Sequence, residues 1–145
     1  MNSPKKYTCA IASSASILGD KWNLLVLRDI ILHKKSRFKE FMSSKEKIAS
    51  NVLAKKLNVL LKEGFIGKLK PLGTKKSTRY IALDKGISAL PIIIEMYLFS
   101  IHSIDESDLD DSQIAIKKVL TTNRDLFEKE KIKQCLDFSE ELRAL

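Results

Sequence analysis

The 145-residue sequence predicts a mainly α-helical α+β fold. Three observations lead to this class. Apolar residues recur at helical spacing through most of the chain. Only the segments FIGKLKPL and STRYIAL have β-type runs, and the turn signal GTKK separates them. The five glycines lie between periodic segments, so they mark the ends of elements and form no internal repeat.

Two helices are predicted at the start of the chain. Residues 9–18 (CAIASSASIL) form a short helix that ends at a glycine, and residues 21–33 (KWNLLVLRDIILH) form a strongly apolar, mostly buried helix. Trp22 lies at helical spacing beside apolar residues, so we interpret it as a core residue rather than a platform for a ligand. Arg28 and Asp29 are expected to make a charge contact that orients the helices, rather than to bind an effector.

Two further helices follow, of which the second is the clearest in the sequence. Ser36 is expected to cap a short helix with an aromatic face. Residues 50–63 (SNVLAKKLNVLLKE) then predict a helix with Ser50 as its N-cap and Gly64 as the residue that ends it. Its apolar face consists of Leu53, Leu57, Leu60 and Leu61. Its opposite face carries Asn51, Lys55, Asn58 and Lys62.

The β-type region is predicted to be a two-stranded ribbon with exposed edges, because Pro71 near its tip cannot donate to a central strand. Asp84 is expected to cap a helix that starts at about residue 85. Ten of the thirteen residues in 89–101 are apolar, and they cover nearly every side of that helix. We therefore infer that it is buried against a second subunit.

The charge of the chain is divided between two regions. Residues 1–86 carry 19 Lys and Arg against 6 Asp and Glu, whereas residues 105–145 carry 7 against 11. The net charge of +8 therefore combines a basic region of +13, the single charge of Glu95 (−1) in residues 87–104 and an acidic region of −4. The basic region favours a polyanionic partner, and the alternative is a generally lysine-rich surface. Two amphipathic helices are predicted within residues 112–142.

The order of the predicted elements is that of a helix-turn-helix followed by a β-wing. The leucine face of the second helix would hold it on the domain and leave its polar face for the major groove. The wing would bring basic side chains to the DNA backbone or the minor groove. We therefore predict a winged helix-turn-helix domain for DNA binding and dimerisation over residues 1–104, and an acidic helical extension over residues 105–145. The predicted DNA-binding residues are Arg37, Lys39, Ser50, Asn51, Lys55, Asn58, Lys62, Lys75, Lys76 and Arg79.

Three segments, LGDKWNLLVLRDIILHKKSRFKEF, IASNVLAKKLNVLLKEGFI and TRYIALDKGISALPII, resemble the HxlR-type winged helix-turn-helix transcriptional regulators. The resemblance covers about residues 7–103. It implies a homodimeric, sequence-specific regulator whose two recognition helices occupy successive major grooves. The sequence departs from the family pattern at Ala10, where a proline usually follows the cysteine, and at Asp84, which is usually threonine. The matching positions are Gly19, Lys21, Trp22, Leu27, Arg28, Asp29, Arg37, Phe38, Ile48, Ser50, Leu53, Leu57, Leu60, Gly64, Tyr80, Leu83, Gly86, Leu90 and Pro91.

Cys9 is a candidate redox sensor. Some proteins that resemble this family use an N-terminal cysteine to sense oxidants or electrophiles. A helix N-terminus with Lys5 and Lys6 nearby would lower the pKa of the Cys9 thiol. The alternative is a small apolar residue at a dimer contact. Cys135 is expected in the core of a tail helix.

Several classes of protein are not expected. The two cysteines and two histidines lack the spacing of metal ligands, and no Ser/His/Asp set has a supporting motif, so we predict no metal, no cofactor and no enzymatic activity. Neither a membrane span nor a secretory signal is apparent, so the expected location is the cytoplasm. The alternative function is a winged-helix adaptor for proteins without specific DNA binding. A small-molecule or redox effector is compatible with either function.

Overall fold

The computed structural model describes residues 8–70 and 78–145 of the chain. Within these ranges the protein is mainly α-helical with one two-stranded antiparallel sheet, which confirms the predicted class. Its elements are α1 (Ala10–Leu18), α2 (Lys21–His33), α3 (Phe38–Met42), α4 (Ser50–Lys62), β1 (Ile66–Leu69), β2 (Arg79–Ala82), α5 (Asp84–Ile87), α6 (Leu90–Ile101), a 3-10 turn (Glu106–Asp108), α7 (Asp111–Thr122) and α8 (Arg124–Arg143).

A two-residue link separates α1 from α2. Gly19 lies so close to α1 that a Cβ atom there would be 2.4 Å from the carbonyl oxygen of Ala15, so only glycine fits. Asp20 caps α2, because its Oδ1 accepts hydrogen bonds from the backbone N–H groups of Trp22 and Asn23 at 2.9 and 3.2 Å. Helix α2 is largely buried, and Trp22 packs against the core as predicted. By contrast, none of the nine residues of α1 is buried in the part of the chain that the structure describes.

The predicted N-caps of α3 and α4 are each wrong by one residue. The N-cap of α3 is Arg37 and not Ser36, because Arg37 has the extended backbone of a cap and its carbonyl accepts from the N–H groups of Glu40 and Phe41 at 3.0 and 3.2 Å. The N-cap of α4 is Ala49 and not Ser50, because Ala49 has the extended backbone of a cap and Ser50 is already helical. The preference of serine for caps is a local effect, and here the packing of the chain outweighs it.

The predicted end of α4 is confirmed. Gly64 has a φ of +78°, in the left-handed region that favours glycine. The N–H of Gly64 donates to the carbonyl of Leu61 at 3.2 Å, and that of Phe65 donates to the carbonyl of Leu60 at 2.9 Å. This pair of bonds is a Schellman motif, which turns the chain directly from α4 into β1.

The single helix predicted after the ribbon is divided into α5 and α6. The N-cap of α5 is Leu83, and Asp84 is its first helical residue rather than its cap. Pro91 lies in the first turn of α6, where its missing N–H does no harm, but its ring would clash with the carbonyl four residues earlier in a continuous helix. Gly86 in α5 packs against the ribbon so tightly that a Cβ atom would be 2.2 Å from the carbonyl oxygen of Phe65.

The ribbon and four helices surround one core. Strands β1 and β2 pair from Ile66 opposite Ala82 to Leu69 opposite Arg79. The N–H of Tyr80 in β2 donates to the carbonyl of Ser36 at 2.7 Å, which attaches the ribbon to the loop between α2 and α3. The largest fully buried side chains come from α2, α3, α4, β1 and α6, and they include Leu27, Ile31, Phe41, Leu53, Leu60, Ile66, Leu90 and Ile94.

The two tail helices pack on this core. Helix α8 lies against α2 and β2, and Leu120, Phe127 and Cys135 belong to the same hydrophobic cluster as the leucines of α4. At the start of α8, the Arg124 guanidinium pairs with the carboxylate of Glu95 in α6. The predicted extension therefore packs against elements of the predicted 1–104 domain, chiefly α2 and β2.

Candidate nucleic-acid interface

Helices α3 and α4 form the helix-turn-helix, and α4 has two distinct faces. Leu53 and Leu60 are fully buried and Leu57 is 2% exposed, so the leucine face fixes how α4 is rotated on the domain. The predicted polar face lies opposite and is exposed along the whole helix. It consists of Asn51, Lys55, Asn58 and Lys62. Arginine, lysine and asparagine side chains on such a face can reach base edges and phosphates in a major groove.

Three further predicted residues lie on the surface around this face. Arg37 and Lys39 are exposed at the start of α3, and Ser50 is exposed at the start of α4. The remaining wing lysines, Lys75 and Lys76, lie outside the described residues. The predicted contacts of α3 and α4 that lie in the described residues are therefore all accessible to solvent.

Arg79 has a different environment from the other predicted contacts. It is the first residue of β2, and its side chain is only 18% exposed. Its Nη1 donates to the Ser36 hydroxyl at 2.9 Å and lies 4.0 Å from a Glu40 carboxylate oxygen. The guanidinium therefore connects the base of the ribbon to Ser36 and to α3.

The turn between α3 and α4 is held on α2 by a network of ion pairs. Arg28 donates from Nη2 to Asp29 at 2.8 Å and to Glu46 at 2.7 Å, and the Asp29 side chain is almost fully buried. Ser44 donates to Asp29 at 2.6 Å, and Lys35 donates to Ser44 at 2.6 Å. The hydrogen bond from Arg28 outweighs partial burial and holds the pKa of Glu46 below its ordinary value. The predicted structural role of Arg28 and Asp29 is thereby confirmed.

A second ion pair connects α4 to the start of α2. The Nζ atom of Lys56 lies 2.6 Å from Oδ2 of Asp20, and the two side chains are 26% and 33% exposed. Partial burial opposes ionisation of Asp20, but the hydrogen bonds from Lys56 and from the backbone N–H of Asn23 together leave its pKa below the ordinary value. Lys56 thus lies between the exposed and buried faces of α4 and points back to the α1–α2 link.

The two cysteines have opposite environments. Cys9 is exposed at the N-cap position of α1, where the nearby backbone N–H groups of Ala12 and Ile11 lower the pKa of its thiol. Cys135 is buried in α8, and burial raises the pKa of its thiol. Of the two, only Cys9 combines access to solvent with a tendency to form thiolate, and the core position predicted for Cys135 is confirmed.

An apolar surface lies on α1 and α6. Phe99 is 89% exposed, Ile11 is 80% exposed, and Met96 and Ile92 are 52% and 41% exposed. Ile92 also borders a shallow groove along α1, which is lined by Ala10, Ile11, Ser14, Ala15, Leu18 and Gly19. Exposed apolar side chains gathered in this way are typical of an interface with another protein chain.

Within residues 8–70 and 78–145, no group of three or more His, Cys, Asp or Glu side chains is arranged to hold a metal ion. In the same ranges, no helix is both long and apolar enough to span a membrane.

A helix-turn-helix that is followed in the chain by a two-stranded wing, with an exposed polar face on its second helix, is typical of a winged-helix, DNA-binding regulator of transcription. The chain belongs to the HxlR-like helix-turn-helix family, whose model matches residues 17–108. This membership confirms the resemblance found in the sequence.

Solved structures agree with the fold. PA1607, described as a candidate transcription factor, is 25% identical with a TM-score of 0.63, covering 73% of this chain and 72% of its own. The reduced form of the transcriptional regulator YodB from B. subtilis is 26% identical with a TM-score of 0.53, covering 65% of this chain and 92% of its own. A candidate MarR-family regulator from Porphyromonas gingivalis W83 is 24% identical with a TM-score of 0.58, over 71% of this chain and 100% of its own. The comparison with curated protein sequences found no significant match.

The residues that attach α4 and the α3–α4 turn to the start and middle of α2 were not predicted from the sequence. Lys56 belongs to neither the leucine face nor the predicted polar face of α4. Its ion pair with Asp20 spans 36 positions of the chain, so no local pattern predicts it. Glu46 and Ser44 were part of an unremarkable polar turn, although both bind side chains of α2 or its following loop. The sequence held one signal for this contact: α4 has a third lysine, Lys56, in addition to the two on its predicted polar face.

Proposed function

We propose that this protein is a homodimeric regulator that binds specific double-stranded DNA sites in the cytoplasm and has no catalytic activity. The observation that carries the proposal is the structure of α4. Its leucine face is fixed in the core, and its exposed face carries two asparagines and two lysines. In this assignment α4 is the recognition helix, and Arg37, Lys39, Lys75 and Lys76 contribute contacts to phosphates.

The same proposal assigns the apolar surface of α1 and α6 to the dimer contact. A two-fold axis through this surface would bury Phe99 and Ile11, which are the most exposed large apolar residues of the body. It would also place the two α4 helices about one helical turn of DNA apart on a pseudo-palindromic site.

The test is a selection of binding sites from random duplexes, followed by affinity measurements at several salt concentrations. We expect a two-fold symmetric consensus and an affinity that falls steeply with salt, because phosphate contacts release counterions. Lys55→Ala should change the preferred sequence, whereas Lys76→Ala should mainly reduce the salt dependence. Failure to bind any duplex at low salt would refute the proposal and favour the protein-adaptor function.

Regulation through Cys9 is a second part of the proposal, supported by the exposure and the lowered pKa of its thiol. Because Cys135 is buried, an oxidant such as diamide would join Cys9 to Cys9 of the partner subunit. The two thiols would lose two electrons and two protons to the diamide as the S–S bond forms. Diamide should then change the affinity for the selected duplex, and Cys9→Ser should abolish the change. The same response in the serine variant would exclude this regulation.

A further inference from the structure

We propose that the Asp20–Lys56 ion pair positions the recognition helix relative to the dimer helix α1, and thereby sets which spacing of DNA half-sites the dimer accepts. This inference rests on the proposed function, in which α1 belongs to the dimer contact and α4 reads DNA. Asp20 and Lys56 are positioning residues in this account, since they act through the placement of α4.

The contacts form a continuous connection from α1 to α4. The side-chain amide of Asn23 in α2 donates to the carbonyl of Ile17 in the last turn of α1, at 3.0 Å, and Asn23 is 3% exposed. Asp20 is the second residue of the link between α1 and α2, and its Oδ1 caps α2. Its Oδ2 receives Lys56 from the middle of α4 at 2.6 Å. One short segment thus contacts α1, α2 and α4 together.

This connection matters because α1 has little else to fix its direction. None of the nine residues of α1 is buried within the described chain, and only Ile17 and Leu18 at its C-terminal end pack against the core. The angle between α1 and the body therefore depends on the link, where Gly19 allows close contact and Asp20 holds α4. In a dimer formed through α1, any change of that angle rotates the two α4 helices relative to each other.

The alternative function of Lys56 is a direct contact to a DNA phosphate. The two functions predict different effects of substitutions on DNA binding. A phosphate contact would make Lys56→Met weaken binding to a single half-site, while Asp20→Asn would leave or strengthen it. A positioning pair would make both variants behave alike on paired half-sites. Asparagine at position 20 can still cap α2 through its side-chain oxygen, so the substitution removes the ion pair with little change to the helix start.

The experiment uses the full-length protein and the duplex enriched by selection. One set of duplexes carries a single half-site, and another carries two half-sites at the selected spacing and at spacings longer or shorter by one and two base pairs. Wild type, Asp20→Asn, Lys56→Met, the double variant and the conservative Lys56→Arg are compared by titration. Lys118→Met, an exposed lysine of α7, is the matched control for the loss of one positive charge.

We expect the preference for the selected spacing to fall about threefold to fivefold in both single variants, as two partly exposed ion pairs in one dimer would give. The double variant should show no further loss, Lys56→Arg should keep the wild-type preference, and binding to the single half-site should stay within about twofold. Unchanged spacing preference in both single variants, or loss confined to Lys56→Met on the half-site, would overturn the inference alone. A wild-type protein that binds one half-site as tightly as two would refute the dimer and this inference together.

Discussion

Truncation of Phe99 to alanine is expected to weaken the dimer by about three orders of magnitude. The ring is 89% exposed in the single chain, so almost all of its apolar surface is available for burial by a second copy. Full burial of a phenylalanine side chain contributes about 1.5–3 kcal/mol, and the two-fold axis counts that contribution twice. A loss of about 4 kcal/mol corresponds to a dimer dissociation constant raised about a thousandfold.

The assay is sedimentation or light scattering over a dilution series, with thermal unfolding measured in parallel. Because Phe99 makes few contacts within its own chain, the unfolding of the monomeric variant should stay cooperative. Leu136→Ala on the outer side of α8 is the matched control, since Leu136 is a 45% exposed apolar residue outside the α1–α6 surface. An unchanged dissociation constant for Phe99→Ala, or an equal loss for Leu136→Ala, would refute the placement of the dimer contact.

Three other substitutions test separate parts of the account. Gly86→Ala should destabilise the fold by about 1–3 kcal/mol in thermal or denaturant unfolding, because the new Cβ would lie 2.2 Å from the carbonyl oxygen of Phe65. Glu46→Gln should remove up to about 1 kcal/mol of stability at neutral pH, through loss of the partly exposed pair with Arg28. Since the folded pKa of Glu46 is lowered, that contribution is complete above the unfolded value of about 4.3 and is lost as pH falls through the folded value, so the difference between wild type and variant should vanish in acid. Lys55→Ala should alter the consensus obtained by site selection while leaving the unfolding free energy within about 0.5 kcal/mol of wild type.

The elements that local patterns determine were predictable from the sequence. Four leucines at helical spacing and the glycine at position 64 fixed the face and the end of α4, because periodicity and the left-handed backbone of glycine are local properties. The ribbon followed from its change of period and its turn residues. The same local reasoning placed the polar residues of α4 on one exposed face.

The parts that depend on distant neighbours were not predictable. Serine at positions 36 and 50 has the right chemistry for a cap, but packing of the buried Ser36 and the extended backbone of Ala49 decide where the helices begin. Arg79 bonds to Ser36 across 43 positions, so this link between the ribbon and the α2–α3 loop was not predicted, and the DNA contact of Arg79 stays a prediction. An amphipathic pattern shows that α8 has a face to bury, but not that α2 and β2 receive it.

The predicted division between residues 1–104, the body, and residues 105–145, the extension, rests on charge. The change of charge at about residue 105 suggested two units, and the sequence shows the change clearly. The structure adds that Phe127 and Cys135 of α8 share the hydrophobic cluster of the body. We propose that residues 105–145 act as a helical cover of α2, with residues 1–104 forming the DNA-binding and dimerisation unit.

The central claim is that two α4 helices read one DNA site, and a hydroxyl-radical footprint on the selected duplex tests it most directly. We expect two protected regions related by a two-fold axis. The two major grooves that the α4 helices occupy should be about 10 base pairs apart, on one side of the duplex. Methylation of guanines in those grooves should interfere with binding. A single protected region, protection without symmetry, or insensitivity to major-groove methylation would contradict the claim.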